Sequence, residues 1–215
     1  MPDATLLLVV GLPFAAAVAA GFLPTHARDA AAWLAGAAAL VSLALVWGAY
    51  PPVAGGGVLR HEMAWMPALG LSFVLRMDGF AWLFATLVTG IGALVVLYAR
   101  YYMSPEDPVP RFFAFLLAFM GSMTGVVLSG NLIQLAFFWE LTSLFSFLLI
   151  GYWYHTAPAR DGARMALIIT AAGGLCLFAG VLALSHIVGS YDLEAVLDSG
   201  DRIRSHPLYL PALVL

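Results

Sequence analysis

Glu140 is the one residue of this chain whose surroundings demand a chemical reason. It stands in Phe137-Phe138-Trp139-Glu140-Leu141-Thr142-Ser143, inside an apolar run that begins at Leu132. Roughly eight helical residues separate it from that start, or ~12 Å along the axis. That is near mid-depth in a hydrocarbon layer of ~30 Å. A charged side chain there costs at least ~2.5–3.5 kcal/mol on insertion scales. No other charged residue falls in the interior of a predicted span. On a helical wheel Ala136 and Ser143 share its face, while Phe138 and Leu141 point elsewhere. Such small and polar neighbours suit a helix interface or a wetted cavity. Two readings compete. Glu140 is either a neutral, hydrogen-bonded acid holding helices together, or a proton-binding carboxylate. In the second case desolvation raises its proton affinity and a nearby cation lowers it. Intramembrane acids mark ion paths by default, so proton relay is the expectation.

The other polar groups are weaker candidates. Ser143, Thr170, Thr124, Ser122 and Ser146 are expected to bond to backbone or to neighbouring helices. A water wire past Thr170 has no support in the sequence. His186 falls at the end of the sixth predicted helix, where it is either an interfacial histidine or a proton entry point. Asp78 precedes Gly79-Phe80-Ala81 and reads as an N-cap. His26, His61, His155 and His206 lie in loops and receive no role. Cys176 is the only cysteine, so no internal disulfide forms. Cys/His clusters with metal-ligand spacing, Gly-rich phosphate loops and nucleophile elbows are all missing. Neither a cofactor nor a metal is expected.

Composition sets the solvent these groups work in. Hydrophobic residues make up 63% of the 215 and charged residues 10%. Soluble domains carry roughly 25% charged residues, so lipid must surround much of this chain. The nine basic residues are all arginine, the net charge is -3, and no basic run suits nucleic acid. The start, Met1-Pro2-Asp3-Ala4-Thr5, lacks the basic region of a cleavable signal. The apolar run after it is long enough to span and is read as a retained helix.

The fold class that follows is an all-α polytopic transmembrane bundle, with six complete spans and the start of a seventh. The spans cover about Leu6–Leu23, Ala30–Tyr50, Asp78–Tyr98, Phe112–Leu128, Leu132–Tyr152 and Met165–His186. The seventh run begins near Pro207 and reaches Leu215. The stretch Pro51 to Gly57 should break any helix and open a loop of about 27 residues, with a small hairpin within Val58–Leu75. Ser129-Gly130-Asn131 is so short that the helices on either side must form a tight antiparallel pair. Gly121 and Gly125, and likewise Gly173, Gly174 and Gly180, read as close-packing positions.

With the N-terminus outside, the inner loops hold Arg28, Arg100, Arg111, Arg160 and Arg164, and the outer loops Arg60, Arg76, Arg202 and Arg204. The bias is slight but in the expected direction. It places Pro105 in the cytoplasm and the Ser129–Asn131 turn outside. Tyr98, Tyr101, Tyr102, Tyr152, Trp153 and Tyr154 form the expected inner aromatic belt.

Several segments resemble the large A-type component of Mrp sodium/proton antiporters, which falls in the complex I antiporter-like superfamily. They are Ser129-Gly130-Asn131-Leu132 with Phe138-Trp139-Glu140-Leu141-Thr142-Ser143 and the run on to Trp153, Asp78-Gly79-Phe80 with Thr89 to Tyr98, and Leu167-Ile168-Ile169-Thr170 with Gly173-Gly174. Large complex I subunits usually carry glycine after the glutamate; Leu141 here favours Mrp. The resemblance implies about fourteen core helices with two inverted five-helix repeats. It divides the chain into residues 1–77 (two helices and an extracytoplasmic loop), 78–111 (the third helix and a cytoplasmic loop) and 112–215 (the start of the first repeat). It implies that Glu140 works with a lysine on a broken seventh helix, and it adds a second reading for Asp78 as a cation-loading acid. The implied function is sodium/proton exchange by a hetero-oligomeric complex with other Mrp-type subunits, in the bacterial inner membrane. The alternatives are a proton-pumping subunit of complex I or of a membrane-bound hydrogenase, and a structural scaffold. The run Leu208–Leu215 is too short to cross ~30 Å. The expectation is therefore an N-terminal piece of a longer product, unable to transport ions by itself.

Overall fold

The computed structural model describes residues 2–66, 71–104 and 106–215. Met1, residues 67–70 and Pro105 lie outside the described residues, and the side expected for Pro105 with them. The elements run α1 (Pro2–Gly21), α2 (Arg28–Gly48), α3 (Tyr50–Ala54), β1 (Leu59–Met66), β2 (Leu71–Met77), α4 (Gly79–Tyr102), α5 (Val109–Leu128), α6 (Leu132–Ile150), α7 (Ala157–Val188), α8 (Leu193–Asp198), α9 (Gly200–Ser205) and α10 (Tyr209–Val214). Six of them, α1, α2, α4, α5, α6 and α7, are long and apolar enough to cross a bilayer. They are the six expected spans, and the protein is a multi-pass membrane protein.

Two boundaries differ instructively. The Pro51–Gly57 stretch does not exclude a helix: Tyr50–Ala54 forms one, with proline in its first turn. There the missing N–H is an orphan anyway and the fixed φ suits the helix. The turn ends at Gly55, and Gly56 follows at φ +80°, a backbone state that favours glycine. At the other end, α7 starts about two turns before Met165. Hydropathy marks only the lipid-embedded part, whereas Pro158 opens the helix and Arg160, Asp161 and Arg164 carry it outside.

α5 is the most buried span and packs against α1, α2, α4 and α6. Its Phe113, Leu117 and Leu128 are fully buried. The two glycines of the Gly121/Gly125 motif receive aromatic rings: a Cβ at Gly121 would meet the ring of Phe14, and one at Gly125 would overlap that of Phe138. So α1 and α6 each place a ring on α5 where a larger residue would block it. In α2 a stripe of buried small residues, Ala31, Ala35, Ala38 and Ser42, faces the bundle. Small side chains let helix backbones approach closely in lipid, where packing drives association. Within the other motif, Gly174 and Gly180 are closely packed but Gly173 faces open space.

One edge of the bundle is laced together. β1 and β2 pair antiparallel from Leu59↔Met77 to Met66↔Leu71. The Gly130 N–H donates to Val74 O at 2.8 Å, and Leu193 N–H donates to Gly130 O at 2.9 Å. Gln134 reaches up from α6 and holds Val74 twice: Val74 N–H donates to Oε1 at 2.8 Å and Nε2 donates to Val74 O at 3.0 Å. The opposite edge carries the short links after α1, α4 and α6. Tyr98, Tyr101, Tyr102, Trp153 and Tyr154 are exposed there, as an aromatic belt requires. Tyr152 departs from that expectation. It is only 4% exposed, turned inward between Phe112 and Arg111.

Candidate functional site

α6 begins where Asn131 caps it, its side chain accepting from Ile133 N–H at 2.9 Å and Gln134 N–H at 3.3 Å. From that fixed start Glu140 falls near the middle of the 19-residue helix. Ala136, Phe138, Thr142 and Ser143 are buried, while Glu140 is exposed on the surface of the chain. Glu140 therefore sits at the border of the packed stripe that Ala136 and Ser143 belong to, and does not share its burial. Its carboxyl reaches sideways onto α7 and lies over Gly174, where a Cβ would overlap Oε1. The glycine is thus a cleared space for the carboxyl at the α6–α7 interface. Among the described residues no other acid or base lies inside a span at this depth.

The hydroxyls around it serve the helices. Thr142 and Ser143 both donate to Trp139 O, at 2.7 and 3.4 Å. Thr170 donates to Ala166 O at 2.9 Å and is exposed, one turn before Gly174 on the same side of α7. These are local bonds of the kind expected for Ser and Thr in helices. Thr170 and Ser143 thus flank the Glu140–Gly174 contact without bonding to the carboxyl.

Asp78 and His186 lie elsewhere, at the laced edge. Asp78 caps α4, accepting from Ala81 N–H at 2.8 Å, and pairs with Arg76 at 2.5 Å. Burial pushes its carboxyl up, but the Ala81 N–H and the Arg76 guanidinium outweigh that and hold it below the usual carboxylate range. The N-cap reading is what the geometry displays. His186 is exposed in the last turn of α7 and lines an open cleft of about 450 Å³ with Ser185, Ser190 and Tyr191. Twelve residues separate it from Gly174, or ~18 Å along the helix.

An ion-pair network at the same edge joins parts of the chain far apart in sequence. Arg60 on β1 pairs with Asp192 at 2.5 Å, Glu194 at 3.1 Å and Glu62 at 3.1 Å. Arg76 on β2 pairs with Glu194 at 3.3 Å as well as with Asp78. Sequence reasoning missed this cluster. Its signal was the two-residue spacing of Arg60/Glu62 and Arg76/Asp78, which puts each pair on one side of an extended segment, while Asp192 caps α8 and Glu194 stands in its first turn.

Comparisons with known proteins identify the family. A family model described as "NADH:quinone oxidoreductase/Mrp antiporter, TM" matches residues 129–210, the segment that holds Glu140 and Gly174. A second, "NADH-Ubiquinone oxidoreductase (complex I), chain 5 N-terminus", matches residues 65–113. The chain belongs to the complex I/Mrp antiporter-like family. Among its relatives there is a probable K⁺/H⁺ antiporter component of the A/B type from Rhizobium meliloti. The two are 65% identical over 204 residues, 95% of this chain and 20% of the relative. The A-type component of a Na⁺/H⁺ antiporter from Alkalihalophilus pseudofirmus is 44% identical over 161 residues, 74% of this chain and 20% of the relative. The chain thus spans about a fifth of the length of these antiporter proteins. A solved Mrp complex from Dietzia sp. DQ12-45-1b superposes with a TM-score of 0.86 at 29% identity, covering 98% of this chain and 22% of that one. An archaeal membrane-bound sulfane sulfur reductase shares the antiporter-like fold at a TM-score of 0.77 and 18% identity, covering 98% of this chain and 42% of that one.

Proposed function

We propose that this chain is part of the large A-type component of a multi-subunit monovalent cation/proton antiporter in the bacterial inner membrane, with Glu140 as a proton-binding relay. The observation that carries this reading is the Glu140 carboxyl at mid-depth, seated over Gly174 between two spans. Lipid does not solvate a charge at this depth, so an acid placed there calls for a partner that carries charge or protons. The exposed side of the carboxyl leaves room for such a partner. That is the property a relay needs. A second carboxylate role, cation loading at Asp78, has less support, since Arg76 already neutralises that acid.

The proposed orientation puts the N-terminus, the β-hairpin and the Ser129–Asn131 turn outside. Arg28, Arg100, Arg111, Arg160 and Arg164 all lie at the opposite edge, close to span ends where basic residues count most toward orientation. The proposed partners are the other Mrp-type subunits, and the proposed substrates are protons and Na⁺. K⁺ is the competing cation, because the 65% identical relative is named for it. A redox-driven pump of the complex I kind is the competing function, since the family models describe both.

Everted vesicles containing the intact complex test this. Glu140→Gln keeps the shape and removes the charge, and it should abolish most cation/proton exchange while leaving complex abundance unchanged. Exchange assayed with Na⁺ and with K⁺, without any electron donor, separates the two cations and separates antiport from redox-driven pumping. Wild-type exchange in the Gln variant at normal abundance would overturn the relay.

A further inference from the structure

At the edge opposite the hairpin, α5, α6 and α7 enclose a cavity of about 460 Å³. Its polar wall is basic: Arg111, Arg160 and Arg164 line it together with Tyr152 and Tyr154. Its deeper wall is apolar, made by Phe115, Phe147 and Leu148. Arg111 donates to Tyr152 O at 3.2 Å, and Arg160 donates to Tyr154 O at 2.9 Å. Neither has an acid within ion-pair distance among the described residues. Arg164 pairs with Asp161 at 2.5 Å, both largely exposed. The other nearby acid, Asp107, accepts from Trp153 Nε1 at 3.1 Å. The wall therefore keeps a positive excess.

Two polar atoms belonging to residues of this wall have no hydrogen-bond partner in the protein. The Tyr152 hydroxyl and the Arg111 Nε–H are both buried and unbonded. Tyr152 as a whole is 4% exposed. A buried hydroxyl or guanidinium N–H without a partner is costly, and a structure keeps such groups where something supplies an acceptor. Here the acceptor must be negative, to match three guanidinium groups, and it must come with apolar matter to fill the inner wall. Arginine forks match phosphate oxygens in charge and in shape. The cavity lies at a membrane edge, between a belt of exposed aromatics and the ends of three spans.

We infer that this cavity binds the phosphate headgroup of an anionic phospholipid, with Arg111, Arg160 and the Tyr152 hydroxyl as donors and one acyl chain along Phe115, Phe147 and Leu148. The lipid joins α5 to the α6–α7 pair, and so sets how those helices meet at the edge opposite the hairpin.

The test uses the intact membrane assembly in nanodiscs and a phosphatidylglycerol with a photoreactive headgroup. Cross-linking to residues 147–164 is the readout, so lipid bound elsewhere does not count. Labelling should saturate. Unlabelled phosphatidylglycerol should compete with it, whereas phosphatidylcholine and free glycerol 3-phosphate should not. The double variant Arg160→Gln/Arg164→Gln should raise the half-saturating lipid concentration by about tenfold, as expected for charge-assisted bonds. Tyr152→Phe removes only the hydroxyl and should raise it by about fivefold. Because Phe replaces Tyr at constant shape, it remains informative if the double variant fails to assemble. Unchanged labelling in both variants would overturn the site. Competition by glycerol 3-phosphate equal to that by the lipid would overturn the lipid as its occupant.

Discussion

Glu140 and Gly174 fit as a side chain and the space it occupies: the carboxyl of one lies where the other would carry its Cβ. The overlapping atoms belong to the flexible end of Glu140, so a methyl group at 174 need not disrupt the helices. Gly174→Ala should leave the protein folded and the carboxyl displaced. The expected outcome is normal complex abundance with cation exchange reduced by about tenfold and its pH profile shifted. A variant that exchanges like wild type would show that the seat on α7 does not position the acid.

Gln134 makes a different kind of contact. Its amide satisfies both backbone groups of Val74, which is 1% exposed. Gln134→Ala leaves the Val74 N–H buried and unpaired, at a cost of about 1–3 kcal/mol. Val74 O keeps its bond from Gly130. Hydrogen exchange at the Val74 amide should accelerate by about tenfold or more, while amides in the centre of α5 stay protected.

The ion pairs of the laced edge make it sensitive to acid. Burial pushes the Asp192 carboxyl up, but Arg60 and the backbone N–H groups of Glu194 and Ala195 outweigh that and hold it below its ordinary value. A carboxyl whose folded pKa is depressed gives stability that is fully present above its unfolded value of about 3.9. That stability is lost as pH falls through the folded value. Docking of the hairpin on residues 190–194 should therefore weaken below about pH 4. Protease sensitivity between α3 and α4, measured against pH, reads this. Asp192→Asn keeps the cap on α8 and should flatten the pH dependence while loosening the hairpin at neutral pH.

Orientation is testable with single cysteines after Cys176 is replaced. Asn131 is a poor labelling site because it is buried and caps α6. Asp201, fully exposed at the same edge, takes its place. Glu106 is exposed at the opposite edge. An impermeant thiol reagent on whole cells should label position 201 and spare 106. The reverse pattern would invert the proposed topology.

The spans were legible in the sequence because lipid imposes a length and an apolar composition that few other constraints mimic. The hairpin was legible from Pro51, Pro52 and the three glycines after them, and Asp78 from its place before Gly79. Glu140 stood out because charge is so rare in these runs. Its seat on Gly174 did not, since which turn of α7 faces which turn of α6 depends on helix packing and not on local pattern. Arg60 and Asp192 are 132 residues apart, and only the folded edge brings them together. Tyr152 looked like one more interfacial ring, but the inward turn after Gly151 buries it.

A two-stranded hairpin on a membrane protein has two open sides, each able to recruit a stray strand. Val74 turns its amide and carbonyl away from β1, and Gln134 and Gly130 occupy both. Leu75 is bridged to Ser129 next to it. The outward edge of β2 is therefore closed at its middle, at Val74 and Leu75, by its own chain once α5 and α6 have met. Before that meeting it is open, so the short turn at Ser129–Asn131 also acts during biogenesis, as the piece that retires a sticky edge.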